Sequence, residues 1–237
     1  MNSKLKNQTV CVVGGTAGMG LAIARAAADA GARVVIGGRN PEKTARVAKE
    51  LGVTGHAVDT TDETSVRTFL EGTGEIAHLV VTASSVKTGP ISGLPLADAQ
   101  ATFRSKFFGP YLCAKHARIA PGGSITFFSG ILSRRPGAND AVLAGVNAAV
   151  EAMGRALARD LAPVRVNTIS PGLTRGTEAF AGMSPEAREG MFQAVGGRLP
   201  AGRVGTPEDI ANAALFLMTT PFVTGITLDV DGGGLLV

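Results

Sequence analysis

The run from Thr9 to Gly20 constrains this chain more than any other stretch. Five residues of a strand type, Thr9-Val10-Cys11-Val12-Val13, break into Gly14-Gly15-Thr16-Ala17-Gly18-Met19-Gly20. An alanine-rich, helix-favouring run follows, Leu21 to Ala30. A strand, a tight glycine turn and a helix aim backbone N–H groups and a helix N-terminus at one point, where a pyrophosphate fits. Gly14 allows the turn, Gly18 allows close approach of a ligand to the backbone, and Gly20 lets the helix pack on the sheet. A plain strand-to-helix turn that binds nothing reads the same way, so the rest of the chain has to decide.

Seven apolar, β-branched runs recur along the 237 residues: 9–13, 33–36, 55–58, 77–82, 124–128, 164–169 and 226–230. Short continuous runs of this kind fit strands buried on both faces of a parallel sheet. Helix-like segments separate them, at about 18–30, 41–51, 62–71, 97–118, 140–162 and 207–219. Asn40-Pro41 and Thr206-Pro207 each place a cap residue before a proline at the first helical position. Thr61-Asp62-Glu63 offers a cap and acidic first-turn residues. The pattern predicts a single α/β domain with a doubly wound, seven-stranded parallel sheet flanked by helices, a Rossmann fold. The segment from about 170 to 205 breaks the rhythm, and it lies after the sixth strand. Substrate loops sit at the carboxyl ends of strands in such folds, so it is expected to be a lid, with a short helix over 184–194.

Charge and cysteine usage exclude several classes. The net charge is +4 with no dense basic run, which speaks against a nucleic-acid partner. Cys11 and Cys113 lie in apolar runs and read as core residues of a reduced, cytoplasmic protein, with no disulfide and no metal site. No apolar stretch is expected to span a membrane. The segment 140–162 is rich in Ala and Gly on several faces. Together with the apolar C-terminus, Leu235-Leu236-Val237, it suits a subunit interface.

The order of motifs resembles the short-chain dehydrogenase/reductase family over essentially the whole chain. Gly14, Gly18 and Gly20 match its glycine motif. Asp59 matches the acidic residue that contacts adenine, and Asn167 through Ser170-Pro171-Gly172 matches the segment beside the nicotinamide. Residues 203–211 and 229–233 match the C-terminal signatures. The resemblance implies a nicotinamide cofactor, a small-molecule carbonyl or alcohol substrate, and a homo-oligomer, dimer or tetramer. The cofactor cradle then comprises Gly14, Thr16, Ala17, Gly18, Met19 and Gly20 in the turn. Arg39 and Asn40 follow the second strand, and Asp59 and Thr60 the third. Ala83, Ser84 and Ser85 follow the fourth, and Pro171, Gly172, Leu173 and Thr174 the sixth. An NAD-binding member would carry a carboxylate at the end of the second strand. This chain has Gly38 there, followed by Arg39, which can pair with a 2′-phosphate, so NADP(H) is the expected cofactor.

The catalytic pattern departs from the family. Its Tyr and Lys, four residues apart on one helix face, fall here on Leu143 and Asn147. The family serine falls on Gly130, with Ser129 and Ser133 nearby. The family asparagine, read from the spacing before Phe107-Phe108-Gly109, falls on Lys106. Lysine and asparagine thus stand exchanged between two helices. This predicts a rewired centre of Lys106, Asn147 and either Ser129 or Ser133; the alternative is a solvated Lys106 and a locally bonded Asn147. Tyr111, the single tyrosine, is expected to pack in the core. Arg134, Arg135, Arg175 and Arg198 are read as solvated loop residues, with an anionic substrate as the alternative. Three functions remain in competition: an unusual NADP(H)-dependent oxidoreductase, a cofactor-binding sensor or scaffold without turnover, and a non-redox isomerase or dehydratase.

Overall fold

The computed structural model describes residues 4–177, 180 and 182–237. Seven parallel strands form one sheet in the order β3-β2-β1-β4-β5-β6-β7. They are β1 Thr9–Val13, β2 Arg33–Gly38, β3 Thr54–Ala57, β4 Glu75–Val81, β5 Arg118–Phe128, β6 Arg165–Pro171 and β7 Thr227–Val230. The order reverses between β1 and β4, which opens a crevice beyond their carboxyl ends. The glycine turn leads into that crevice.

Side-chain alternation along β1 feeds two cores. Val10 and Val12 face one side and pack with Ile23, Ala24 and Ala27 of α1 (Gly18–Asp29) and with Ile210, Ala214 and Leu217 of α8 (Pro207–Thr219). Val47 and Ala48 of α2 (Pro41–Leu51) join this layer. Cys11 and Val13 face the other side. They meet Val66, Phe69 and Leu70 of α3 (Glu63–Thr73), Cys113 of α5 (Gly109–His116) and Val150 of α6 (Ala141–Asp160). Burial on both faces is the reason the strands read as continuous apolar runs.

The expected helix caps are made by side chains. Asn40 accepts from the Lys43 N–H at 2.7 Å, and Asp62, rather than Thr61, accepts from the Thr64 N–H at 2.9 Å. Thr206 and Asp209 form a reciprocal capping box on α8. Several expectations need correction. The segment 97–118 is not one regular helix: α4 (Leu96–Phe103) runs into a π-turn over Arg104–Phe108 before α5. Pro110 explains the break, because its ring has no N–H to offer the Lys106 carbonyl four residues back and collides with it in regular α geometry. The Gly109 N–H instead reaches the Arg104 carbonyl. Tyr111 is not a core residue; it lies on α5 with 42% of its surface exposed. Arg134 and Arg175 are not merely solvated, since they pair with Asp229 and Glu189. Finally, α6 has the length and composition of a membrane-spanning helix. It packs on β6 and buries Val146, Val150 and Gly154, as a core helix of the sheet does.

Candidate cofactor and catalytic site

The glycine turn is built to bring something close. Gly14 has φ +95°, and a Cβ there would lie 2.5 Å from the Ala83 nitrogen and 2.5 Å from Thr82 Oγ1. The turn is therefore pressed against the start of the segment after β4, and Ala83 is held there by its N–H bond to the Val13 carbonyl at 3.1 Å. Gly20 abuts the Gly14 carbonyl. The α1 N-cap is Ala17, which makes no side-chain cap; α4, α5 and α6 likewise have none, whereas α2, α3, α7 (Pro185–Gly196) and α8 are capped by side chains. The first-turn N–H groups of α1 therefore have no side-chain acceptor, and the helix dipole lies behind them at the glycine turn. An anion such as a pyrophosphate is the kind of group a turn and helix N-terminus of this type can hold.

Beyond β2, Gly38 is crowded: a Cβ would meet Thr16 Cγ2 at 2.6 Å and Thr44 Oγ1 at 2.7 Å. A carboxylate there would require Thr16 and Thr44 to shift. Arg39 is exposed beside this point, near enough to Asp59 to help lower its carboxyl. The larger cause of that lowering is the Thr61 backbone N–H, which Asp59 Oδ1 accepts at 2.9 Å. Two expected cofactor contacts are otherwise engaged. The Asn40 side-chain oxygen caps α2, and Thr60 is buried against Gly109 at the start of α5. Ser84 and Ser85 are exposed, and the Ser85 N–H is anchored to Ser105 Oγ at 2.7 Å, tying this segment to the π-turn.

The π-turn presents Lys106. Its side chain is buried, with 8% exposure, and does not reach solvent as a surface lysine would. Nζ donates to the carbonyls of Phe128 at 3.3 Å and Ser129 at 3.2 Å, at the carboxyl end of β5. Burial depresses its pKa to about 8. Asn147, on α6, which packs against the π-turn, is 2% exposed, and its Oδ1 has no hydrogen-bond partner among the described residues. The expected exchange of lysine and asparagine thus corresponds to two buried polar groups on adjoining elements. Leu143, on the same face one turn before Asn147, is half-buried and carries no proton.

The two serines have separate partners. Ser129 Oγ donates to the Ile169 carbonyl at 3.4 Å, while Ser133 Oγ contacts Glu151 Oε1 at 2.6 Å and the Gly130 carbonyl at 3.1 Å. Glu151 is a residue the sequence reading missed. It lies one turn after Asn147 on α6 and is 7% exposed; its position at i+4 was the available signal. It ties the short turn Ile131–Ser133 to the helix.

At the end of β6, Gly172 packs tightly on Asp231, and the buried Thr174 donates to the Gly172 carbonyl at 3.0 Å. Leu173 O accepts from the Gly205 N–H at 2.9 Å, which closes the base of the expected lid. A Cβ on Gly18 would lie 3.1 Å from the Gly176 carbonyl, so the lid begins directly over the glycine turn. In α7, Glu189 pairs with Arg175, which also stacks 4.8 Å from the Phe192 ring. Residues 178, 179 and 181 of the lid lie outside the described residues.

Comparison with known proteins is consistent with this geometry. The family model described as enoyl-(acyl carrier protein) reductase matches residues 14–234. A short-chain dehydrogenase/reductase from Acremonium, ucsE, is 33% identical, and the match covers 98% of this chain and 97% of the relative. Among solved structures, a small-chain dehydrogenase in complex with NADPH superposes with TM-score 0.84 at 38% identity, covering 98% of this chain and all of its own. The MalC reductase/Diels-Alderase from Malbranchea aurantiaca superposes with TM-score 0.93 at 28% identity, covering 100% and 99%. Coverage of this extent takes in the glycine turn, the sheet order and the end of β6 together, and the chain belongs to the short-chain dehydrogenase/reductase family of oxidoreductases.

Proposed function

We propose that this protein is an NADP(H)-dependent oxidoreductase that interconverts a carbonyl compound and its alcohol, with Lys106 in the place of the missing tyrosine. The observation that carries this reading is the buried ammonium of Lys106 at the carboxyl end of β5, with its pKa depressed to about 8 by burial. An acid with a pKa near the working pH can be protonated and still give its proton up. Bound NADPH supplies the hydride. Lys106 stabilises the negative charge that develops on the substrate oxygen and donates a proton to it as the alcohol forms. The glycine turn and the uncapped α1 N-terminus hold the pyrophosphate, and Arg39 pairs with the 2′-phosphate. The absence of a carboxylate at Gly38, a position crowded by Thr16 and Thr44, supports the preference for NADPH over NADH. So does the NADPH complex among the structural neighbours.

Lys106→Met is expected to lower kcat/KM by about 100-fold or more while NADPH binding, followed by nicotinamide fluorescence, stays intact; unchanged turnover would sink the assignment. Arg39→Leu is expected to weaken NADPH binding about tenfold, as loss of a charge-assisted pair does, and to leave NADH binding unchanged. Equal effects on the two cofactors would remove Arg39 from the 2′-phosphate site.

Leu143 favours a second reading, a cofactor-binding protein without turnover or a non-redox enzyme in the same cleft. A structural neighbour described as both reductase and Diels-Alderase adds weight to the non-redox form. NADPH consumption with a panel of ketones, quinones and imines separates both from the first reading.

A further inference from the structure

An ammonium has three N–H groups to place, and a neutral amine has two. Lys106 Nζ finds two acceptors, the carbonyls of Phe128 at 3.3 Å and Ser129 at 3.2 Å, and no third partner among the described residues. With the side chain only 8% exposed, a third N–H left without an acceptor costs free energy, and more so when it carries charge. Two acceptors match the amine. Once both N–H groups are given to the carbonyls, the remaining tetrahedral position of Nζ holds the lone pair and points away from them. In the charged form the same position holds the third proton, the one donated in the oxidoreductase reading.

The surroundings favour the amine. No carboxylate pairs with Lys106 among the described residues, and its pKa is depressed by burial with no charged neighbour to raise it. Across from the π-turn, α6 carries the half-buried Leu143. The π-turn is also tied to the exposed segment after β4, through the Ser85 N–H and Ser105 Oγ at 2.7 Å, and so borders the crevice beyond the strands.

We propose that Lys106 is also a nucleophile, whose amine condenses with an aldehyde or ketone in the crevice to form an imine. The nitrogen lone pair forms a C–N bond to the carbonyl carbon while the π pair moves to oxygen. Both amine hydrogens pass to that oxygen, which leaves as water, and a C=N double bond remains. The step consumes no oxidant or reductant and needs no cofactor. The class of ligand rests on the oxidoreductase reading above.

The test treats the parent protein, without NADPH, with butanal and sodium cyanoborohydride at neutral pH. The reagent reduces an imine to a stable secondary amine, and peptide mass mapping locates the butyl group. Lys106 is expected to be labelled more than about tenfold faster than the exposed Lys49 and Lys87, because it keeps far more of its amine uncharged. In urea the preference should vanish. No adduct at Lys106, labelling no faster than at the two surface lysines, or a preference that persists in urea each overturns the proposal. NADPH oxidation by the same protein on the carbonyl panel is measured separately. Turnover with Lys106 unlabelled leaves the acid and removes the nucleophile; fast labelling without turnover removes the oxidoreductase reading and leaves the nucleophile.

Discussion

Lys106 is held at a cost in stability. Its pKa in the fold is depressed from the ordinary 10.5 to about 8 by burial. The unfolded chain therefore binds the proton more tightly between those two values, and stability rises with pH across that window. At pH 7 the charged form destabilises the fold by roughly 3 kcal/mol, at about 1.4 kcal/mol per pKa unit. Lys106→Met is thus expected to raise the unfolding free energy by up to about that amount at pH 7, with the gain shrinking towards pH 10.5. Denaturant curves at the two pH values check this; equal gains at both would mean that packing, not charge, decides. In the proposed role of general acid, Lys106 also predicts that the rate of carbonyl reduction falls as pH rises through about 8. At this scale the sequence named Lys106 and Asn147 but not Glu151. Motif spacing marks positions where a family places chemistry; the i+4 spacing from Asn147 put Glu151 on the same helix face, but its contact with Ser133, eighteen residues away, came only from the fold.

Among the elements, the π-turn aims the lysine. Pro110 prevents α4 and α5 from joining as one regular helix. Pro110→Ala is expected to favour regular α geometry through 104–108, to turn Lys106 away from the Phe128 and Ser129 carbonyls, and to lower turnover more than tenfold, since small misplacements of a catalytic group are costly. Hydrogen exchange at Gly109 and Tyr111 would report the closed helix, and an unchanged rate would show that the turn is not needed for aim. The capping box of α8 gives a second measure at this scale. Thr206→Ala is expected to cost about 1 kcal/mol in urea unfolding. The helices with side-chain caps were legible because a cap is a local event. The π-turn was not read, although Pro110 stood in the sequence, because apolar periodicity across 97–118 is blind to a single widened turn.

Across the whole molecule, the sheet separates two polar ends. The carboxyl ends of the strands hold the candidate site. At the opposite end, His78 is buried between Ser124 Oγ at 2.8 Å and Gln8 Oε1 at 2.7 Å, with its pKa lowered to about 4, mainly by burial and further by Arg165. The folded protein resists protonating His78, and the unfolded chain, with an ordinary value of 6.5, does not. Stability is therefore expected to fall as pH drops from about 6.5 to about 4, by roughly 3 kcal/mol in total from this residue. His78→Gln should flatten that part of the pH–stability curve, and an equally steep curve would place the effect elsewhere.

The sequence by itself determined the seven strands, most of the helices and the glycine turn, because period, caps and turn residues act over a few neighbours. It also raised the expectation that Leu143 stands where the family's tyrosine would be. Only the tertiary structure decided that Lys106 is buried, that Gly38 is crowded by Thr16 and Thr44, and that the Asn147 amide packs closely against Gly130. Each of these depends on atoms brought together from distant strands and helices, and burial, which sets both the charge of Lys106 and the cost of an unpaired amide, exists only once the sheet and its two layers have closed.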